Sequence, residues 1–268
     1  MSNPTAATEP VRTVLITGAD GQVGTALRDH LGDEFTLRAL TLHPRDFPSH
    51  VADIADLDAI RPAFEGVDAV VHLAASPSVD APWDDILTNN LIGTYNVFEA
   101  ARQAGVDRVV FASSNHAIGM YELDASPELF ELDDQRTFDH TVPVRPDSLY
   151  GVSKVYGEAL GRYYHERHGL AVYCIRIGAL RSDDDPYSER ELQGGAGLLG
   201  LDREQTRKRM RAAWLSRADA ARLVRQCLTV TDPRWALVYG ISDNPRQYWD
   251  IGHARAVLGY DPKDSAPV

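Results

Sequence analysis

Short apolar runs alternate with stretches of helical period along the first two thirds of the chain. Residues 14–16 (Val-Leu-Ile) form an apolar run, and 24–31 space their apolar residues as one face of a helix. The alternation continues with strands at 35–42, 69–73, 108–113 and 171–177, and with helices at 56–64, 83–104 and 149–168. Runs this continuously apolar leave no polar face, so they predict a parallel sheet covered by helices on both sides. Right-handed crossovers then give an α/β, doubly wound, Rossmann-type fold. Beyond Ile177 the pattern weakens. Residues 181–206 hold three consecutive aspartates, several glycines and no steady period, which predicts a loop or a small irregular lobe. A helix is expected over 217–228 and a late strand over 237–241. The chain therefore divides into a core, 11–178, and a smaller part, 179–268. The smaller part is expected over the carboxyl ends of the strands, where open α/β sheets bind ligands.

With 268 residues, 44% hydrophobic and 25% charged, the chain has the profile of a soluble globular protein. No apolar run approaches the roughly 20 residues of a membrane helix. The first ten residues are polar and read as a disordered lead-in without a signal-peptide h-region, so no membrane partner and a cytoplasmic location are expected. A net charge of −12 argues against a nucleic-acid partner. Cys174 and Cys227 lie far apart in apolar segments and make neither a metal-spaced pair nor a disulfide framework, which fits a reducing compartment.

Residues 17–24, Thr-Gly-Ala-Asp-Gly-Gln-Val-Gly, follow a predicted strand and open a predicted helix. Gly18, Gly21 and Gly24 give a GxxGxxG turn, whose glycines let a pyrophosphate approach the backbone and the open helix N-terminus. The core is thus read as dinucleotide-binding. An acidic residue normally ends the second strand and holds the adenosine ribose. Here Thr41 stands near that end, with His43 and Arg45 after it, so both NAD and NADP remain open as cofactors. Asp53 is either a contact to the adenine or the cap of the next helix.

Tyr150 and Lys154 are four residues apart in a helical pattern and share one face. A tyrosine with a pKa near 10 is a poor base at neutral pH, and a nearby ammonium is expected to lower it. The pair then suits proton transfer to or from a substrate oxygen beside a nicotinamide. Ser113, Ser114, Asn115 and His116 follow the strand at 108–113, at the sheet's carboxyl edge. Ser114 is the candidate for orienting the substrate oxygen, and Asn115 and His116 for binding a polyol. No GxSxG elbow supports a hydrolase.

TGADGQVG, FASSNHAIG, LYGVSKVYGEAL, AWLS and VYGISDN resemble the extended short-chain dehydrogenases of the NAD-dependent epimerase/dehydratase superfamily. Within them they resemble the uronate dehydrogenases and the short-chain-type NAD-dependent glucose-6-phosphate dehydrogenases. The resemblance runs from about residue 14 to 264. It implies oxidation of the anomeric carbon of an anionic aldose to a lactone, with NAD as cofactor. It implies Tyr150 as base, with Lys154 and Ser114 completing the catalytic set. It places Ser78, Asn115 and His116 on the sugar and Arg209 on the sugar's anionic group, which a guanidinium fork suits. Around the cofactor it implies the glycine turn with Gln22 and Val23, then Thr41, Asp53 and Ile54. Leu73, Ala74, Ala75, Asn90, Ser113 and Ile177 complete that set, with Tyr150 and Lys154.

Three departures stand out. Thr41 replaces an acidic residue. Ala179 stands where uronate enzymes carry a substrate-binding serine. Residues 182–205 look inserted, and Gly194 to Gly197 within them are either a lid hinge or an idle loop. The rival expectations are a nucleotide-sugar epimerase or dehydratase that retains its cofactor, and a non-catalytic cofactor sensor. Helices 84–104 and 149–168 offer faces for a homo-oligomer.

Overall fold

The computed structural model describes residues 10–189, 192 and 199–268. Seven parallel strands form one sheet in the order β3-β2-β1-β4-β5-β6-β7. They are β1 (Thr13–Thr17), β2 (Thr36–Thr41), β3 (His50–Val51), β4 (Ala69–His72), β5 (Arg108–Ser114), β6 (Ala171–Ile177) and β7 (Trp235–Gly240). Every residue of β4 and β5 is buried, as apolar runs covered on two faces require. The order reverses at β1, between β2 and β4, and this switch point opens a crevice at the strands' carboxyl ends. The expected fold is the observed one.

Helices fill both faces. On one side α1 (Gln22–Leu31), α8 (Arg217–Thr229) and α9 (Gly252–Leu258) bury Leu27, Leu223, Cys227 and Leu258 against Val14, Val71 and Val238. On the other, α4 (Gly93–Ala104) and α6 (Leu149–His168) bury Val97, Phe98 and Tyr164 against Leu15, Val70 and Phe111. The residues after 178 supply β7 and α8 as well as the structure above the strands, so they share the core's sheet.

Several elements differ from the sequence pattern. The helix expected at 56–64 is α2 (Leu57–Ile60), capped by Asp56, followed by a tighter turn at Arg61–Phe64 that contains Pro62. The long helix at 83–104 begins as α3 (Trp83–Asp85), widens to a π-helical stretch at Ile86–Ile92 and continues as α4. α5 (Gly119–Ala125) stands where no element was expected. α7 (Arg203–Ala213) starts at a capping box in which Asp202 and Gln205 satisfy each other's backbone N–H groups. Gly194 to Gly197 lie outside the described residues. Among the described residues no helix is long and apolar enough to cross a membrane.

Two buried polar links shape the carboxyl edge. His72 Nδ1 lies 2.8 Å from Thr17 Oγ1, and its Nε2 lies 3.2 Å from Thr94 Oγ1. Burial, with the charge of Lys154, lowers the His72 pKa to about 3, so its imidazole is neutral. Thr17 Oγ1 also accepts the N–H groups of Leu73 and Ala74, at 3.2 and 3.3 Å, and thereby holds the loop after β4.

Candidate active site

The β1–α1 turn forms the floor of a cleft. Gly18 takes φ +67°, and a Cβ there would lie 2.8 Å from Ala74 N. A Cβ on Gly24 would lie 2.6 Å from Gly18 O and force the turn open. Gly21 caps α1 without a side-chain hydrogen bond, which leaves the first-turn N–H groups directed at the cleft. The cleft encloses 510 Å³ and runs past Gly18, Gly21, Gln22, Val23 and Gly24 to Leu73, Ala74, Ala75, Ser113, Ile177, Tyr150 and Lys154. A second cavity of 260 Å³ adjoins it, with Leu40, Leu42, Ala52 and Ile54 among its walls. An open helix N-terminus, a cradle that Cβ atoms would fill and an apolar side cavity together fit a dinucleotide: pyrophosphate at the turn, adenine in the side cavity.

Lys154 is buried, and its Nζ donates to the carbonyl of Ala112 at 2.8 Å and lies 5.3 Å from the centre of the Tyr150 ring. Burial brings its pKa down to about 8. The Tyr150 pKa is raised, first by burial and then by the charge of Asp147, while a hydrogen bond with Ser114 opposes the rise. The lowering expected from Lys154 is therefore not the governing influence. The ammonium is committed to a backbone carbonyl, and desolvation of the phenol dominates.

A third cavity of 270 Å³ shares Ser114 and Tyr150 with the cleft and continues past Asn115, His116, Ala179, Arg181 and Arg209. Ser114 Oγ donates to Asn115 Oδ1 at 3.1 Å. His116 Nδ1 lies 2.7 Å from Asp147 Oδ2, which fixes the imidazole at the cavity wall. Arg209, from α7, places Nε 2.6 Å and Nη2 3.4 Å from the two carboxylate oxygens of Glu122 on α5. The Tyr248 hydroxyl donates to the same carboxylate at 3.0 Å. A buried acid and a tyrosine thus hold the arginine at the far end of the cavity.

Four expected contacts do not line these three cavities among the described residues. Thr41 is buried, and its Oγ1 lies 2.9 Å from both the His43 carbonyl and Ser49 Oγ, so the strand-end loop uses its hydroxyl. Asp53 is exposed and accepts the N–H of Ala55 at 2.8 Å, closing a local turn; the helix cap is Asp56. Ser78 is exposed, and its hydroxyl accepts the N–H of Asp80 at 3.2 Å, while Pro77 meets the cavities instead. Asn90 is buried and ties Ser76 to Ser153, with a 2.9 Å bond to Ser153 Oγ, so it braces the loop after β4 against α6. The sequence reading missed Asp20 at the junction of the cleft and its side cavity, and Arg181 in the third cavity. It also missed Glu122 and Asp147. Asp147 lies only three residues before Tyr150, but its partner His116 is 31 residues away.

Comparison with known proteins agrees with this architecture. The model of the NAD dependent epimerase/dehydratase family matches residues 14–191. An NAD-dependent glucose-6-phosphate dehydrogenase of Haloferax volcanii is 42% identical over 264 residues, covering 94% of each chain. An L-arabinose 1-dehydrogenase (NAD(P)(+)) of the same organism is 39% identical over 257 residues, covering 94% of this chain and 97% of its own. The crystal structure of a uronate dehydrogenase variant from Agrobacterium tumefaciens complexed with NAD superposes with a TM-score of 0.77 at 34% identity, covering 95% of this chain and 86% of that one. This protein belongs to the NAD dependent epimerase/dehydratase family.

Proposed function

We propose that the protein is an NAD-dependent oxidoreductase that converts the C1 hydroxyl of an anionic aldose, a hexose 6-phosphate or a hexuronate, to the lactone. The observation that carries this reading is that the cleft and the third cavity share Ser114 and Tyr150, with Arg209 and Arg181 among the third cavity's walls. Its volume of 270 Å³ suits a single sugar ring better than a nucleotide sugar. Relatives named for glucose 6-phosphate, L-arabinose and uronate support an aldose. The two arginines favour an anionic one.

In this mechanism Ser114 and Tyr150 hold the C1 hydroxyl, and Asn115 and His116 hold the ring's other hydroxyls. Arg209, kept in place by Glu122, grips the anionic end. NAD, when bound along the glycine turn, supplies the acceptor for the hydride that leaves C1. Tyr150 takes the hydroxyl proton as the C1–O bond becomes a carbonyl, and Lys154 would hold the nicotinamide ribose of a bound cofactor. The core to 178 serves the cofactor, and the part from 179 supplies the anion anchor. The free, buried Cys174 and Cys227 support a reducing, cytoplasmic setting. Exposed Ile92, Tyr95, Leu149, Val152 and Tyr163 on the paired helices support self-association.

The purified protein should reduce NAD with at least one of glucose 6-phosphate, glucuronate and galacturonate, followed by absorbance of the reduced nicotinamide. Silence with all three would refute the substrate class. Arg209→Ala is expected to raise the KM for that sugar by about tenfold to a hundredfold with little change in NAD affinity. Equal losses for sugar and cofactor, compared by steady-state kinetics and NADH titration, would remove the anchor role.

A further inference from the structure

The second strand ends without the acid that would hold a ribose diol or repel a 2′-phosphate, and the hydroxyl of Thr41 is turned into its own loop. A carboxylate is nevertheless present at this edge. Asp20, in the glycine turn, lines both the main cleft and its apolar side cavity. Across the mouth it binds Arg45 from the loop after β2, whose Nε donates to Asp20 Oδ2 at 2.7 Å and whose Nη2 contacts the same oxygen. The loop is fixed in place: Arg28 donates to the carbonyl of Ala19 at 3.1 Å and lies 3.8 Å from the centre of the Phe47 ring.

We propose that Asp20 is the residue that selects NAD against NADP, by repelling a 2′-phosphate where the strand-end acid is missing and by engaging Arg45. This rests on the reading that the cleft holds a dinucleotide. A 2′-phosphate at the junction of the two cavities would face the Asp20 carboxylate at short range, and like charges so placed repel strongly. Arg45 is the nearby cation suited to a phosphate, and Asp20 already uses two of its donors. Discrimination therefore comes from a repulsive element and from a cation withheld, with no direct contact from β2.

Titration of the purified protein with NADH and with NADPH, read by nicotinamide fluorescence, tests this without turnover. Wild type is expected to bind NADH about tenfold or more tighter than NADPH. Asp20→Asn should improve NADPH binding by about tenfold while NADH changes by no more than about threefold, and Asp20→Ser should do the same. The double variant Asp20→Asn with Arg45→Ala should keep only part of the gain, because the repulsion stays relieved while the guanidinium that the 2′-phosphate would meet is gone. Three results would each overturn the proposal: equal affinities in wild type, an unchanged ratio in both Asp20 variants, or a gain that removal of Arg45 leaves undiminished. Since no sugar is present, failure here leaves the sugar reading intact, and a failed sugar assay leaves this result intact.

Discussion

Tyr150→Phe is expected to lower kcat for sugar oxidation by about 10²–10⁴-fold, the usual contribution of a positioned acid–base group. The ring stays, so its edge contact with His116, at 5.8 Å between centroids, and the wall of the cleft stay too. NADH binding, measured by fluorescence, should therefore change little. In wild type the rate should climb as pH rises above neutrality. Oxidation needs the phenolate as proton acceptor, and burial with the Asp147 charge raises the phenol pKa, so the base form gains population only on the alkaline side. Loss of the proton from Lys154, near pH 8, limits that rise from above if its charge is needed to hold the cofactor ribose. A Phe variant with full activity, or a rate that falls steadily from pH 6 upward, would contradict the assignment of Tyr150 as base.

Glu158→Ala is expected to cost about 3–5 kcal/mol of stability, because it strands a buried guanidinium. Arg176 and Glu158 expose 1% and 8% of their side chains and meet through two bonds of 2.9 Å, a bidentate pair beneath the carboxyl edge. Ser113 Oγ donates to the same carboxylate at 2.6 Å, and Arg176 reaches the Tyr239 hydroxyl at 3.1 Å. The pair therefore joins α6, which carries Tyr150 and Lys154, to β6, and through Ser113 to β5. Urea unfolding should show the midpoint falling with an unchanged slope, and replacing Arg176 by Met in the same chain should recover part of the loss. A loss below about 1 kcal/mol would mean that solvent reaches the stranded arginine and that the site is not rigidly braced.

The parallel core was legible because its strands are apolar on both faces, so 69–73 and 108–113 could hardly belong to a one-sided sheet. The glycine turn and the Tyr150–Lys154 face were legible because their chemistry is local, within one turn of chain. α7 was missed although its capping box, Asp202 to Gln205, is written in the sequence. The irregular residues before it drew 202–206 into the loop. Three side chains expected at the site hydrogen-bond to near neighbours: Thr41 with His43, Asp53 with Ala55, Ser78 with Asp80. Motif matching assigns a position, but these short-range bonds decide where the polar atom goes. Partnerships across the fold were not readable at all. Glu122 and Arg209 are 87 residues apart, and Asp20 and Arg45 are 25 apart on different elements. Only the packed sheet brings them together.

If the hydride leaves C1 of an anionic aldose, deuterium placed at C1 must follow it to the cofactor. The direct measurement is to supply glucose 6-phosphate, glucuronate and galacturonate, each carrying deuterium at C1, with NAD, and to read the isotope content of the reduced cofactor by mass spectrometry. Reduced nicotinamide is expected to form with at least one of them and to carry the deuterium, while the sugar product is the unlabelled lactone or its hydrolysed acid. Reduced cofactor without deuterium, or no reduction with any of the three sugars, would contradict it.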